Sequence, residues 1–323
     1  MEKLGEKRRV CVTGAGGFIA SWLVKALLNK GFMVHGTVRD PSDEKNAHLK
    51  KLENASENLQ LFKADLLDYN AVASAIAGCE GVFHVASPVP AIKVPNPEVE
   101  LIAPAVTGTL NVLKACCEAK VKRVVVVSSV SAVMMIPNWP KDKVKDESCW
   151  SDTEYCRTTE NWYCLSKTLA EREALEYAEK HGLDVVTVCP SFVIGPLLQP
   201  TVNSTSLFLI NLLKGARESV ENKRHNFVDV RDVVDALLLV YGKPEASGRY
   251  ICTSHMIKFR DLVDMLKSIY PNYNYPKTFV EGDEGTLVTS EKLKMLGWEC
   301  RRLEEILIDS VECYRNAHLL SKD

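Results

Sequence analysis

The sequence predicts an α/β fold, a doubly wound parallel sheet with a smaller C-terminal lobe, and three observations predict it. Short β-branched runs alternate with helical patterns through the first 195 residues, the order that builds a parallel sheet with helices on both faces. Runs such as Val124-Val125-Val126-Val127 are apolar without alternation, as strands buried on both faces are. The first strand runs straight into Gly14-Ala15-Gly16-Gly17, and a helix follows. That strand, tight turn and helix N-terminus mark a Rossmann-type dinucleotide site.

In chain order the expected strands are Arg9-Thr13, Met33-Val38, Leu59-Lys63, Gly81-Val85, Val121-Ser128 and Leu183-Cys189. Between them Ile19-Asn29, Glu44-Asn54, Tyr69-Ala77, Glu98-Ala119 and Glu154-His181 carry helical spacing. The regularity is lost after Gly195-Pro196. A nucleotide-binding domain is therefore expected over 1–195, rejoined by 226–245, and a substrate-binding lobe over 196–225 and 246–323.

With 323 residues, 46% of them hydrophobic, the chain can bury a sizeable core. A formal charge of −2 argues against a nucleic-acid partner. The charged opening has no apolar signal core, and no apolar run approaches the ~20 residues of a membrane span, so no membrane association and a cytoplasmic location are expected. The 11 cysteines form no Cys-x-x-Cys and no His/Cys cluster, so no metal site is expected and zinc-dependent alcohol dehydrogenase chemistry is disfavoured. A reversible disulfide among Cys149, Cys156 and Cys164 is conceivable, with reduced thiols as the default.

At the nucleotide end, Thr13, Gly14, Gly16, Gly17, Phe18 and Ile19 should meet the pyrophosphate, with Ala20 replacing a third glycine. An enzyme using NAD usually ends its second strand in an acid that holds the ribose hydroxyls. Here Arg39 takes that place, its fork suits a 2'-phosphate, and Lys45 can close on the same group, so NADP(H) is the expected cofactor. Asp40 beside it remains able to reach a ribose. Asp65 and Leu66 should flank the adenine; Val85, Ala86 and Ser87 should underlie the ribose and nicotinamide; Ser128, Pro190 and Val193 should border the ring.

The catalytic expectation rests on Asn161-Trp162-Tyr163-Cys164-Leu165-Ser166-Lys167. A tyrosine and a lysine four residues apart share one helical face. A cation beside the phenol would lower its pKa and suit Tyr163 to act as general acid in carbonyl reduction. Lys167 would also hold the nicotinamide ribose. Ser129, in Ser128-Ser129-Val130-Ser131 at the C-terminal end of the fifth strand, could donate to the substrate carbonyl. His225 could touch substrate, although a surface or core histidine fits as well, and Asp229-Val230-Arg231-Asp232 reads as structural.

These features resemble the extended short-chain dehydrogenase/reductases, and within them the plant cinnamoyl-CoA reductase and dihydroflavonol reductase branch. The resemblance covers nearly the whole chain, through Val12-Thr-Gly-Ala-Gly-Gly-Phe-Ile19, Asp146-Glu-Ser-Cys-Trp-Ser-Asp152, Asn161–Lys167, Gly195-Pro-Leu-Leu-Gln-Pro-Thr-Val-Asn203 and Phe227-Val-Asp-Val-Arg-Asp232. Leu165-Ser166 departs from the usual Tyr-Gly. The thioester-reducing members look to carry a His, a Lys three residues on, and a later Arg; those positions hold Phe208, Asn211 and Phe259. Dihydroflavonol reductases offer a polar residue where this chain has Met134. The resemblance with these departures implies a cinnamyl-alcohol-dehydrogenase-like aldehyde reductase. Its partner would be a small aromatic aldehyde or alcohol, lined by Ser87, Met134, Met135, Ile136, Phe192, Leu197, Leu198 and Phe208, on a monomer or homodimer. A cinnamoyl-CoA reductase, a dihydroflavonol or other aryl carbonyl reductase, and a non-catalytic nucleotide sensor are the alternatives.

Overall fold

A computed structural model describes residues 8–89, 94–140, 142–282 and 284–321. Its strands are β1 (Arg9–Val12), β2 (Met33–Val38), β3 (Leu59–Lys63), β4 (Gly81–His84), β5 (Arg123–Val127), β6 (Val185–Pro190), β7 (Phe192–Ile194), β8 (Ser219–Asn222), β9 (Arg224–Asp229), β10 (Gly248–Cys252), β11 (His255–Lys258) and β12 (Thr278–Glu281). Seven form one sheet in the order β10-β6-β5-β4-β1-β2-β3, and every pairing in it is parallel. The order reverses between β1 and β4, and at such a switch point a crevice opens beyond the strands' C-terminal ends. A second sheet, β11-β9-β7, and a β12-β8 pair build the lobe.

Neighbouring residues of each strand serve opposite cores. Val10, Val12, Val125 and Val127 join the helices Phe18–Asn29 and Val230–Gly242 on one face. Cys11, Val124 and Val126 join Tyr69–Ile76, Ala103–Glu118 and Trp162–His181 on the other. Burial on both sides is why these strands read as continuous apolar runs. A third core, with Phe227, Phe259, Leu262, Ile306 and Tyr314, belongs to the lobe.

Three expectations are corrected. The helix expected over 154–181 is two, Thr153–Thr158 and Trp162–His181. Glu160 takes the left-handed conformation (φ +52°), and Asn161 restarts the chain as an N-cap whose side chain accepts from the Cys164 amide. The segment expected as one helix over 44–54 breaks after Lys50, with a short helix at Ala55–Asn58. The segment Gly248–Cys252, assigned above to the lobe, is instead the seventh strand of the main sheet, beside β6. Glu98–Glu118 is long and apolar enough to cross a membrane, which the sequence reading did not register. It packs against Trp162–His181, and more than half of its apolar window is buried, as in a core helix.

Candidate active site

The glycine turn is shaped for a backbone-lined anion site. Gly14 has φ +65°, and a Cβ there would lie 2.9 Å from the Ala86 side chain, so only glycine brings this turn so close to the end of β4. Gly17 caps the Phe18–Asn29 helix without a side-chain hydrogen bond, leaving the first-turn amides to a ligand. Phe18 and Ile19 open that helix and pack on the core. These residues fit a dinucleotide pyrophosphate.

Thr13 locks the turn to β4. Its hydroxyl accepts the Val85 and Ala86 amides at 3.0 Å each and meets His84 Nδ1 at 2.9 Å. His84 Nε2 meets the Thr109 hydroxyl at 3.1 Å, and that hydroxyl donates to the Ala105 carbonyl. Thr109 therefore accepts from an Nε2–H, and Thr13 donates to a bare Nδ1. Burial pushes the His84 pKa down to about 3, which fixes this neutral state. Sequence reasoning missed His84; its signal was a histidine inside an otherwise apolar strand.

Arg39 is exposed just beyond β2. Asp40 accepts from the Ser42 amide and hydroxyl, and those bonds hold its carboxyl below the usual range. Lys45 is ion-paired with Asp43 at 2.6 Å, so it would have to share or leave that partner to reach a phosphate. Asn46, also missed, donates to the Asp40 carbonyl and lies against Gly16, docking this segment on the glycine turn. Asp65 is exposed and accepts from the Leu67 amide, while Leu66 packs on Gly108.

Tyr163 stands in the first turn of the Trp162–His181 helix because Asn161 caps it. Lys167, one turn on, is buried and donates to the Val127 carbonyl at 3.4 Å. Ser129, at the end of β5, caps a short turn by accepting from the Ser131 amide, and its side chain favours the ionised form of the Tyr163 phenol. Ser128, Ser87 and Lys167 line one small polar cavity. The expected lowering of the phenol by Lys167 is not what this geometry gives. Burial pushes Tyr163 up to about 12, with Ser129 the group opposing it, and pushes Lys167 down to about 8.

The segment 146–152 clamps the chain just beyond β5. Ser151 accepts from the Met135 amide and donates to the Ser131 carbonyl, and Asp152 caps the Thr153–Thr158 helix. Pro190 ends β6 and Val193 lies in β7, both buried.

The residues expected to line the substrate pack against three apolar clusters. Met134 and Ile136 pack with Val130, Cys149 and Ile251, whereas Met135 turns to Cys156, Cys164 and Trp162. Phe192, Leu197 and Phe208 gather at the lobe core, and Leu198 is half-buried outside these clusters. Phe192 meets Phe208 at 5.0 Å and Phe208 meets Phe259 at 5.5 Å, both edge to face. His225 tilts against Phe208, Phe227 and Phe259, and burial lowers its pKa. All 11 cysteines are free thiols. Arg231 is forked onto Asp229 and also pairs with Asp309, while Asp232 pairs with Arg301, which gives this group a structural role.

Residues 10–252 match the family described as the NAD dependent epimerase/dehydratase family. The chain belongs to that family. Within it, the chain is 47% identical to cinnamoyl-CoA reductase 1 of Petunia hybrida, over 94% of this chain and 91% of the relative. It is 44% identical to tetraketide alpha-pyrone reductase 1 of Arabidopsis thaliana, over 94% of each. Among solved structures, vestitone reductase from alfalfa is 34% identical with a TM-score of 0.85, over 97% of this chain and all of that one. Yeast methylglyoxal/isovaleraldehyde reductase Gre2, complexed with NADPH, is 26% identical at TM-score 0.85, over 97% and 100% of the two chains. The family member is thus an oxidoreductase of the cinnamoyl-CoA reductase and dihydroflavonol reductase-like branch, and its cofactor is NADP(H).

Proposed function

We propose that this protein reduces phenylpropenyl aldehydes, such as coniferaldehyde or cinnamaldehyde, reversibly to their alcohols. The observation that carries the reading is the edge-to-face pair Phe208 and Phe259, at positions where thioester-reducing relatives are expected to present a His and an Arg. Half-buried Phe208, backed by the buried Phe259 and by His225, presents an apolar side suited to an uncharged aryl group rather than a phosphorylated carrier. Cations flanking this cluster are engaged with carboxylates: Arg224 and Lys258 with Glu284, Lys223 with Glu221.

Bound NADPH would supply the hydride to the aldehyde carbon. Ser129 and Tyr163 would hold the carbonyl oxygen, and Tyr163 would pass it the phenol proton. Lys167, tied to the end of β5, would hold the ribose and steady the phenolate as it forms. The 11 free thiols are consistent with a cytoplasmic protein.

A second reading, reduction of hydroxycinnamoyl-CoA thioesters, is favoured by the 47% identity to cinnamoyl-CoA reductase 1 of Petunia hybrida. Steady-state kinetics with NADPH and coniferaldehyde, phenylacetaldehyde or feruloyl-CoA separates the two. A large preference in kcat/KM for the thioester would overturn the aldehyde reading.

A further inference from the structure

Glu171 lies one helical turn beyond Lys167 and is fully buried. Its Oε2 accepts from the Ser128 hydroxyl at 2.8 Å and from Arg249 Nη2 at 3.1 Å. Its Oε1 accepts from the Thr187 hydroxyl at 2.6 Å, Arg249 Nε at 2.9 Å and the Cys189 thiol at 3.3 Å. Arg249, on β10, also donates to the Glu147 and Cys149 carbonyls, and its guanidinium lies 3.5 Å from the Trp150 ring centroid. One carboxylate therefore joins the catalytic helix, the ends of β5 and β6, β10 and the clamping segment.

We propose that Glu171 is a positioning residue of the proton relay: held by Arg249, its carboxylate keeps Lys167 charged and fixes Ser128 beside the catalytic serine. This rests on the reading of Ser129, Tyr163 and Lys167 as the relay. Lys167 and Glu171 line the same small polar cavity. The other titratable groups near Lys167 are His84 from β4 and Cys189 from β6, with Tyr163 one turn earlier on its own helix and Arg249 behind Glu171. His84 is neutral, and burial holds the Cys189 thiol and Tyr163 phenol protonated, so Glu171 is the anion of the set. Burial lowers the Lys167 pKa and Glu171 opposes that lowering. A buried ion pair adds little stability over an apolar replacement, so its use here is electrostatic and positional.

The test reads Lys167 directly. Its protonation midpoint in the protein without substrate is measured as the pH dependence of acetylation by acetic anhydride, followed by peptide mass spectrometry. The alkaline limb of kcat/KM with NADPH and coniferaldehyde is measured alongside. Glu171→Gln should lower the midpoint by on the order of one pH unit and move the limb with it. Thr187→Val, which keeps the charge and removes one donor, should leave the midpoint in place. If Glu171→Gln does not fold, Glu171→Gln/Arg249→Met removes the pair as a unit and leaves no arginine stranded; the midpoint should still fall, by less, because a cation is removed with the anion. An unchanged midpoint overturns the proposal, as does a Thr187→Val shift equal to that of Gln. Full turnover by Tyr163→Phe would instead defeat the relay reading, while the acetylation midpoint would still report on Glu171.

Discussion

Asp40 spends its carboxylate on Ser42, accepting the amide at 2.9 Å and the hydroxyl at 2.7 Å. An acid at the end of β2 is what an NAD-preferring enzyme offers the ribose, and here that acid is tied into its own turn. Arg39 beside it is exposed. Arg39→Ala should therefore weaken NADPH by at least tenfold, about 1.4 kcal/mol, and change NADH little. Fluorescence titration with both dinucleotides measures it, and equal losses would remove the phosphate argument.

Ser129 opposes the rise that burial imposes on the Tyr163 phenol at the C-terminal end of β5. Removing the phenol hydroxyl takes away the proposed proton donor and leaves the glycine turn intact. Tyr163→Phe should cut kcat by roughly 10²–10⁴-fold with NADPH affinity unchanged. Stopped-flow turnover and equilibrium titration of the same preparation check both halves.

Lys167 carries a cost of burial. Its folded pKa is about 8 against 10.5 for a free lysine, because its ammonium is buried. Below about pH 8 both folded and unfolded chains bind the proton, and the penalty is present in full. Between about 8 and 10.5 the unfolded chain binds more protons, so this residue's contribution rises with pH there. Lys167→Met keeps the aliphatic stem and leaves Glu171 paired with Arg249. It should abolish reduction and stabilise the fold at pH 7 by on the order of 2 kcal/mol. Urea denaturation at pH 7 and pH 10 tests this, with the gain shrinking at the higher pH.

Most of the sheet was legible because local pattern and tertiary role agree. The apolar runs of β1, β5 and β6 are buried on both faces, and the glycine turn stands where such a turn must. The seventh strand was not legible, since Gly248-Arg249-Tyr250 carries a buried charge whose partner, Glu171, lies on a distant helix. No periodicity reveals such a pairing. His84 and Thr109 escaped for the same reason: their link to Thr13 exists only when β1 and β4 lie side by side. Met134 and Ile136 pack on one apolar cluster and Met135 on another, a division that hydrophobicity alone does not resolve. The break before Tyr163 was visible only as Asn161, whose capping role depends on Glu160 turning left-handed.

Phe208 lies on the Ser204–Leu213 helix, with Asn211 one turn away and exposed, and its ring faces Phe259 at the start of Phe259–Ile269. If this aromatic pair is what turns a thioester carrier away, restoring the expected polar groups should readmit it. Phe208→His/Asn211→Lys places an imidazole and an ammonium on one helical face near solvent. Phe259→Arg adds the guanidinium but buries it, since Phe259 is only 4% exposed, so that change should cost stability. The double variant should raise kcat/KM for feruloyl-CoA by roughly tenfold, as one new charge-assisted contact of about 1.4 kcal/mol would. That gain should fall with added salt, because the contact is exposed. Turnover of coniferaldehyde should change less than that of the thioester. A double variant that folds, by thermal melt, yet shows no salt-sensitive gain with feruloyl-CoA would mean that these positions do not set the substrate class.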